Sequence, residues 1–291
     1  MIQMLYNFLE SFAYIAFAAV GMSVIYGMTG ITNMAQGEFL MIGATICCFT
    51  VNYLKVPFAL AVLMSVAGTA VLGVLIDRLV LKRLYNRPGD SLICTYGVSL
   101  ALMQIGTIVI GTAAPSISAP FGLVELGSRS YAVYKFFLIG LSLLIFFALY
   151  MIFNRSRFGL YARATMQRRD IANSLGINVN KMNILIIVLA SALGGLAGAM
   201  YAPTISVTGA YGSNFITHAF VAVIIGGANP LVGTFIAAMV LAVVESSMSY
   251  MFGAFFGRIG MLVVAIMIIR ILPDGFSGLA ERLSAKHLIR K

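Results

Sequence analysis

The sequence predicts an all-α polytopic membrane protein of eight or nine transmembrane or re-entrant helices, with a hint of an inverted repeat. Three observations predict it. Of the 291 residues, 61% are hydrophobic and only 10% are charged, against about 25% charged in an ordinary soluble domain. The apolar residues fall in runs close to the roughly 20 residues that cross a bilayer. And fifteen of the nineteen lysines and arginines gather in three segments that alternate crossings place on one face. The net charge of +10 therefore reads as membrane topology rather than as nucleic-acid binding. The chain, 1–291, reads as a single transmembrane domain with one long polar loop at 154–182.

The apolar runs are 8–28, 39–54, 58–80, 91–111, 132–153, 183–202, 215–227, 231–252 and 257–272. The first has no basic segment before it and no clear cleavage site, so it reads as a retained span rather than a signal peptide. The runs at 39–54 and 215–227 are short, as broken or re-entrant helices are. Arg78, Lys82, Arg83 and Arg87 share one loop. Arg155, Arg157, Arg163, Arg168, Arg169 and Lys181 share the long one, and Arg270, Arg282, Lys286, Arg290 and Lys291 close the chain. The positive-inside rule makes that face cytoplasmic. Lys55, Arg129, Lys135 and Arg258 fall on the other face. Nine crossings then put the N-terminus outside and the C-terminus in the cytoplasm.

Polar residues inside apolar runs carry the next clues. Asn33, Gln36 and Glu38 open the second run, beside Gly30 and Gly37. A helix broken there would present free N–H groups and a positive half-helix end to an anionic group such as a carboxylate. With equal weight, the same residues cap a helix at the membrane interface. Glu245 lies deep in its run, where a carboxylate must face protein or water. It reads either as a pathway or interface residue or as a protonated acid bonded to a neighbouring helix. Gln104 reads as an interhelical bond. The stretches 26–33 and 211–218 match as Y-G-x-x-x-I-T-[N/H], which hints at the inverted repeat. His218 and His287 have no partner at metal-ligand spacing. Cys47, Cys48 and Cys94 lie in apolar runs, two of them adjacent, which argues against a disulfide framework. The glycines at 194–198 and Gly226, Gly227 and Gly233 suit close helix packing.

The long polar loop has its own pattern. Leu160, Ala164, Ile171 and Leu175 fall at helical spacing, and Arg163, Gln167, Arg168 and Asp170 cover much of the other side. Gly176 stands where a helix C-terminus favours glycine. This predicts a short amphipathic helix on a cytoplasmic loop. It either lies on anionic lipid through its arginines or docks a soluble partner.

The run D-I-A-N-S-L-G (170–176) resembles the E-A-A-x-x-x-G coupling motif of ATP-binding-cassette (ABC) importer permeases, with Asp170 for Glu, Ile171 for the first Ala, and Ala172 and Gly176 matching. R-F-G-L-Y-A-R-A (157–164), L-G-I-N-V-N (175–180) and A-L-G-G-L-A-G (192–198) resemble the permeases of branched-chain amino acid ABC transporters. So do Y-G-M-T-G-I-T-N-M-A-Q-G-E-F (26–39), with Gln36 where His is usual, I-I-G-G-A-N-P-L-V-G-T (224–234) and L-P-D-G (272–275). The resemblance spans about residues 15 to 278. Related urea and short-amide permeases share G-S-N-F-I (212–216), which leaves the solute open.

The resemblance implies a non-catalytic permease subunit in a bacterial inner (plasma) membrane. Its partners would be a second permease subunit, two ATPase subunits that hold ATP and Mg, and an extracellular or periplasmic solute-binding protein, with lipid around the spans. It implies coupling to the ATPase through Arg163, Asp170, Ala172, Leu175 and Gly176, while the polar groups inside the apolar runs make Asn33, Gln36, Gly37, Glu38 and Glu245 the candidate substrate pathway. No G-x-x-x-x-G-K-[ST] phosphate loop occurs, so the chain cannot cradle ATP phosphates by that route and no cofactor is expected on it. An ion-driven carrier or passive channel using Glu38 and Glu245 is the alternative of another class, though it leaves the cytoplasmic helix unexplained. A membrane enzyme would need a polar catalytic cluster at the interface, and the sequence offers none.

Overall fold

A computed structural model describes residues 2–84, 88–111, 115–126, 129–227, 230–273 and 275–278. Arg87, Arg282, Lys286, His287, Arg290 and Lys291 lie outside the described residues. Each of the nine apolar runs folds as a helix. They are α1 (Ile2–Thr29), α2 (Gln36–Asn52), α3 (Phe58–Leu79), α4 (Pro88–Ile110), α5 (Val133–Arg155), α8 (Val179–Tyr201), α9 (Tyr211–Gly226), α10 (Pro230–Phe252) and α11 (Ala254–Ile271). Two further helices, α6 (Arg157–Gln167) and α7 (Arg169–Ser174), occupy the polar loop. Seven of the nine are long and apolar enough to cross a membrane; α2 and α9, with 17 and 16 residues, fall short, as their short runs predict. The chain is thus a multi-pass membrane protein.

One element was not expected. Leu123–Leu126 (β1) pairs antiparallel with Arg129–Ala132 (β2), Leu123 opposite Ala132, and this hairpin leads directly into α5. It sits between apolar runs, so the helical class of the spanning part stands.

α1 and α8 form the centre. Of the most apolar stretch of α1, 72% of residues are buried, against 11% for α4 and 22% for α11. Phe12, Ile15, Phe17, Met22, Leu40, Met41, Ile186 and Phe215 fill the interior. The glycine run of α8 lets three helices meet at backbone distance. A Cβ on Gly43 of α2 would stand 2.5 Å from the Gly195 Cα, and one on Gly195 would collide with Thr69 of α3. In a bilayer, small residues of this kind permit the close packing that drives helices together.

A repeated pairing is visible in the packing, though not where the repeated letters placed it. α3 packs on α8 as α10 packs on α1, and α2 packs on α3 as α9 packs on α10. Residues 26–33 run out of α1 into irregular chain, whereas 211–218 lie wholly within α9. The structural match is instead 30–37 with 205–212. In both, three extended residues and a turn precede a short helix capped by alanine, Ala35 (φ −74°, ψ 0°) and Ala210 (φ −88°, ψ 9°). The hydrogen bonds correspond as well. The Gln36 and Glu38 amides donate to the Asn33 and Ala35 carbonyls, and the Tyr211 and Ser213 amides to those of Thr208 and Ala210.

Candidate functional site

The two breaks meet. A Cβ on Gly37 would lie 2.8 Å from the Gly212 carbonyl oxygen, so the first turns of α2 and α9 touch through their backbones. The depth is set by Gln36, whose Nε2 donates to the carbonyl of Ala190, midway along α8, at 3.0 Å. α2 therefore begins inside the bundle, level with the middle of α8.

Around that first turn each side chain faces a different neighbour. Asn33 Oδ1 accepts the Ala35 amide at 3.0 Å, an Asx-type turn that shapes the break. Glu38 Oε1 accepts the Ser99 hydroxyl of α4 at 3.0 Å, and Thr95 of α4 accepts the Met34 amide at 3.2 Å. α4 thus turns a strip of Ser91, Thr95 and Ser99, four residues apart, towards the break. All of Asn33, Gln36 and Glu38 are buried. Among the described residues Asn33 Nδ2, Gln36 Oε1 and Glu38 Oε2 have no hydrogen-bond partner.

Glu245 belongs to a different place. It lines a cavity of about 480 Å³ together with Glu10, Ser11 and Tyr14 of α1, Lys135 of α5, Tyr201 at the end of α8, and Ser246 and Ser249 of α10. Lys135 is ion-paired with Glu10, which ties the start of α5 to the start of α1. His218 of α9 stands behind Glu245, its Nε2 3.3 Å from Oε1 and its Nδ1 3.1 Å from the Asn214 carbonyl. That carbonyl also accepts the Tyr14 hydroxyl at 2.9 Å, and the Tyr14 ring meets the imidazole edge-on. So His218, which the sequence leaves without a partner, has one. The signal was that an ionisable residue in each of two adjacent apolar runs needs something to bond. Glu10 and Tyr14 were missed too, and only the Lys135 ion pair marks out Glu10.

The polar loop differs from the single helix predicted for it. Arg168 adopts an extended conformation (φ −149°, ψ 96°) and splits the helix into α6 and α7. Ser156 caps α6 and Asn178 caps α8 through their side chains. Gly176 has φ +83°, its amide donates to Asn173 and the Ile177 amide to Ala172. This is a complete Schellman motif, which only a residue at ease in the left-handed region closes without strain. Of the five coupling candidates, Ala172 is buried beneath the loop, and Arg163 is exposed and bonded to Asn154 at the end of α5. Asp170, Leu175 and Gly176 are exposed. Leu160, Ile171 and Leu175 are 57%, 55% and 74% exposed, so the apolar stripe looks away from the bundle.

Nine apolar helices with two mid-depth breaks, and a basic loop that shows apolar side chains outward, define an integral-membrane transport component. The family model described as the permease component of branched-chain amino acid transport systems matches residues 4–272. The chain belongs to that family. It is 26% identical over 279 residues to the probable branched-chain amino acid transport permease protein LivH of Methanocaldococcus jannaschii, covering 89% of this chain and 87% of that one. It is 25% identical to the high-affinity branched-chain amino acid transport system permease protein BraD of Pseudomonas aeruginosa, covering 96% of each. The solved structure PsaBC from Streptococcus pneumoniae in complex with Fab shares the fold, with a TM-score of 0.55 at 14% identity over 93% of this chain and 92% of that one.

Proposed function

We propose that this chain is the membrane-spanning subunit of an ABC importer for branched-chain amino acids. The observation that carries the reading is the exposed apolar surface of Ile171 and Leu175 on a stiff, Schellman-capped loop. Such a surface costs solubility unless a partner covers it, and the chain has no phosphate loop of its own. The partner is an ATPase subunit, two of which hold ATP and Mg. A second permease subunit completes the pathway, and a solute-binding protein delivers to the opposite face. The basic face is cytoplasmic, the membrane is the bacterial inner (plasma) membrane, and the C-terminus lies inside.

Alternating access would work through the two breaks. Asn33, Gln36 and Glu38 hold polar atoms without partners beside a backbone-to-backbone contact at Gly37. In a membrane such groups call for water or a polar solute when the packing opens. The branched-chain solute is supported by what the relatives are named for. The test is ATP-dependent uptake of labelled L-leucine by the chain reconstituted in proteoliposomes with its ATPases and binding protein. Uptake that needs no ATPase would replace this reading with the carrier or channel.

A further inference from the structure

We propose that the cavity between α1, α5 and α10 is a binding site for the zwitterionic head of an α-amino acid, held within this one subunit. The inference rests on the amino-acid reading above and names where such a solute is held.

The first argument is charge. The Asn214 carbonyl can only accept, so His218 Nδ1 carries a hydrogen. The opposite nitrogen then meets Glu245 Oε1 at 3.3 Å through a proton, since a bare lone pair facing a carboxylate oxygen would repel. Whichever partner holds that proton, His218 and Glu245 together count as neutral. Lys135 and Glu10 cancel each other. Arg258 of α11 acts on Tyr14 electrostatically but does not line the cavity. The lining is polar and holds separated charges of both signs, Glu10 and Glu245 against Lys135, with His218 and Arg258 behind it. A net ion entering it would lose hydration without full compensation, whereas a zwitterion brings both signs at once.

The second argument is unmet bonding. Among the described residues Glu245 Oε2 has no hydrogen-bond partner, and the side chain, 15% exposed, lines the cavity, so its carboxyl group is placed to take a donor such as an ammonium. Lys135 has three donors, and the described bond to Glu10 takes one, which leaves capacity for a carboxylate. The two complementary groups come from different helices, α10 and α5. The third argument is shape. Ala13, Leu138 and Ile205 give the lining an apolar part, and the volume falls in the ordinary range for small-molecule sites, about 300–1,000 Å³.

The test is equilibrium binding to the assembled transporter in nanodiscs, without nucleotide or binding protein. Three probes are used: L-leucine, L-leucinamide, which lacks the carboxylate, and 4-methylpentanoate, which lacks the ammonium. The wild type is expected to prefer L-leucine over both. Glu245→Gln is expected to weaken L-leucine at least tenfold and leave 4-methylpentanoate unchanged. Lys135→Met is expected to weaken L-leucine and leave L-leucinamide unchanged, with Lys135→Arg restoring it. Glu10→Gln, which releases Lys135, is expected to tighten L-leucine. Equal loss of all three probes in each variant would mean a structural role and overturn the site. So would wild-type binding in all variants while L-leucine uptake persists. That result leaves the permease reading intact, whereas an intact transporter that takes up no L-leucine takes both readings down.

Discussion

His218 and Glu245 face each other across two helices. The imidazole Nε2 lies 3.3 Å from the carboxylate Oε1, and the other ring nitrogen is committed to the Asn214 carbonyl. The bond links α9 to α10 beside the cavity, and each residue satisfies the other in a place where neither is well hydrated.

The two partners are not equally replaceable. In Glu245→Gln the amide donates to His218 Nε2 and the contact survives, so stability should stay near wild type. His218→Phe removes the group that faces the carboxyl and should cost about 3 kcal/mol, the low end for a broken buried pair because Glu245 borders a cavity. Unfolding in mixed micelles would check both, and equal losses would show that no proton is shared.

Gly195 is wedged between Gly43 and Thr69. Gly195→Val forces three helices apart and should cost about 1–3 kcal/mol as an overpacked core does. The check is the melting temperature in detergent, with Gly140→Val, where an added Cβ meets nothing, as the neutral comparison.

Exposure separates the coupling residues. Leu175→Asp and Ile171→Asp should lose ATPase in a pulldown while the melting temperature holds. Ala172→Arg should lower the melting temperature as well, because Ala172 is the buried residue of α7. Retained ATPase in both exposed variants would return the loop to a lipid-surface role.

Orientation is checked with single cysteines in a background without Cys47, Cys48 and Cys94. Position 118, exposed and on the hairpin side, should react with an impermeant maleimide added to sealed cells. Position 173, exposed next to α7's end, should react only after permeabilisation.

At the α2 break, Glu38→Gln should lower L-leucine uptake at least tenfold with the amount of assembled complex unchanged. Ser99→Ala, which removes only the hydroxyl donor to Glu38, should have a smaller effect. Normal uptake in Glu38→Gln would remove this segment from the pathway.

The nine apolar helices were legible because long apolar runs leave the backbone no choice but helix. The two short ones were legible as breaks for the same reason. Local signals also found Gly176. What they missed depends on partners far along the chain. The repeat was misread by ten residues on the α2 side, from Gln36 to Tyr26, because its true register shares little more than Ala35 with Ala210 and Gly37 with Gly212. The letters at 26–33 and 211–218 coincide across a helix end and a helix start. The split at Arg168 follows from how α6 and α7 turn over the bundle, which spacing along one helix does not report. The cavity was invisible because Glu10, Lys135 and Glu245 come from helices scattered from one end of the chain to the other.

Gly37 and Gly212 meet without side chains. Interdigitated side chains act as teeth, and a packed joint with teeth has a few preferred settings. At Gly37 and Gly212 the teeth are missing and only Ile216 stands beside the contact, so this is the point of the α2–α9 seam with the fewest side chains to lock one angle. A turn of one short helix is thereby passed to the other through backbone alone.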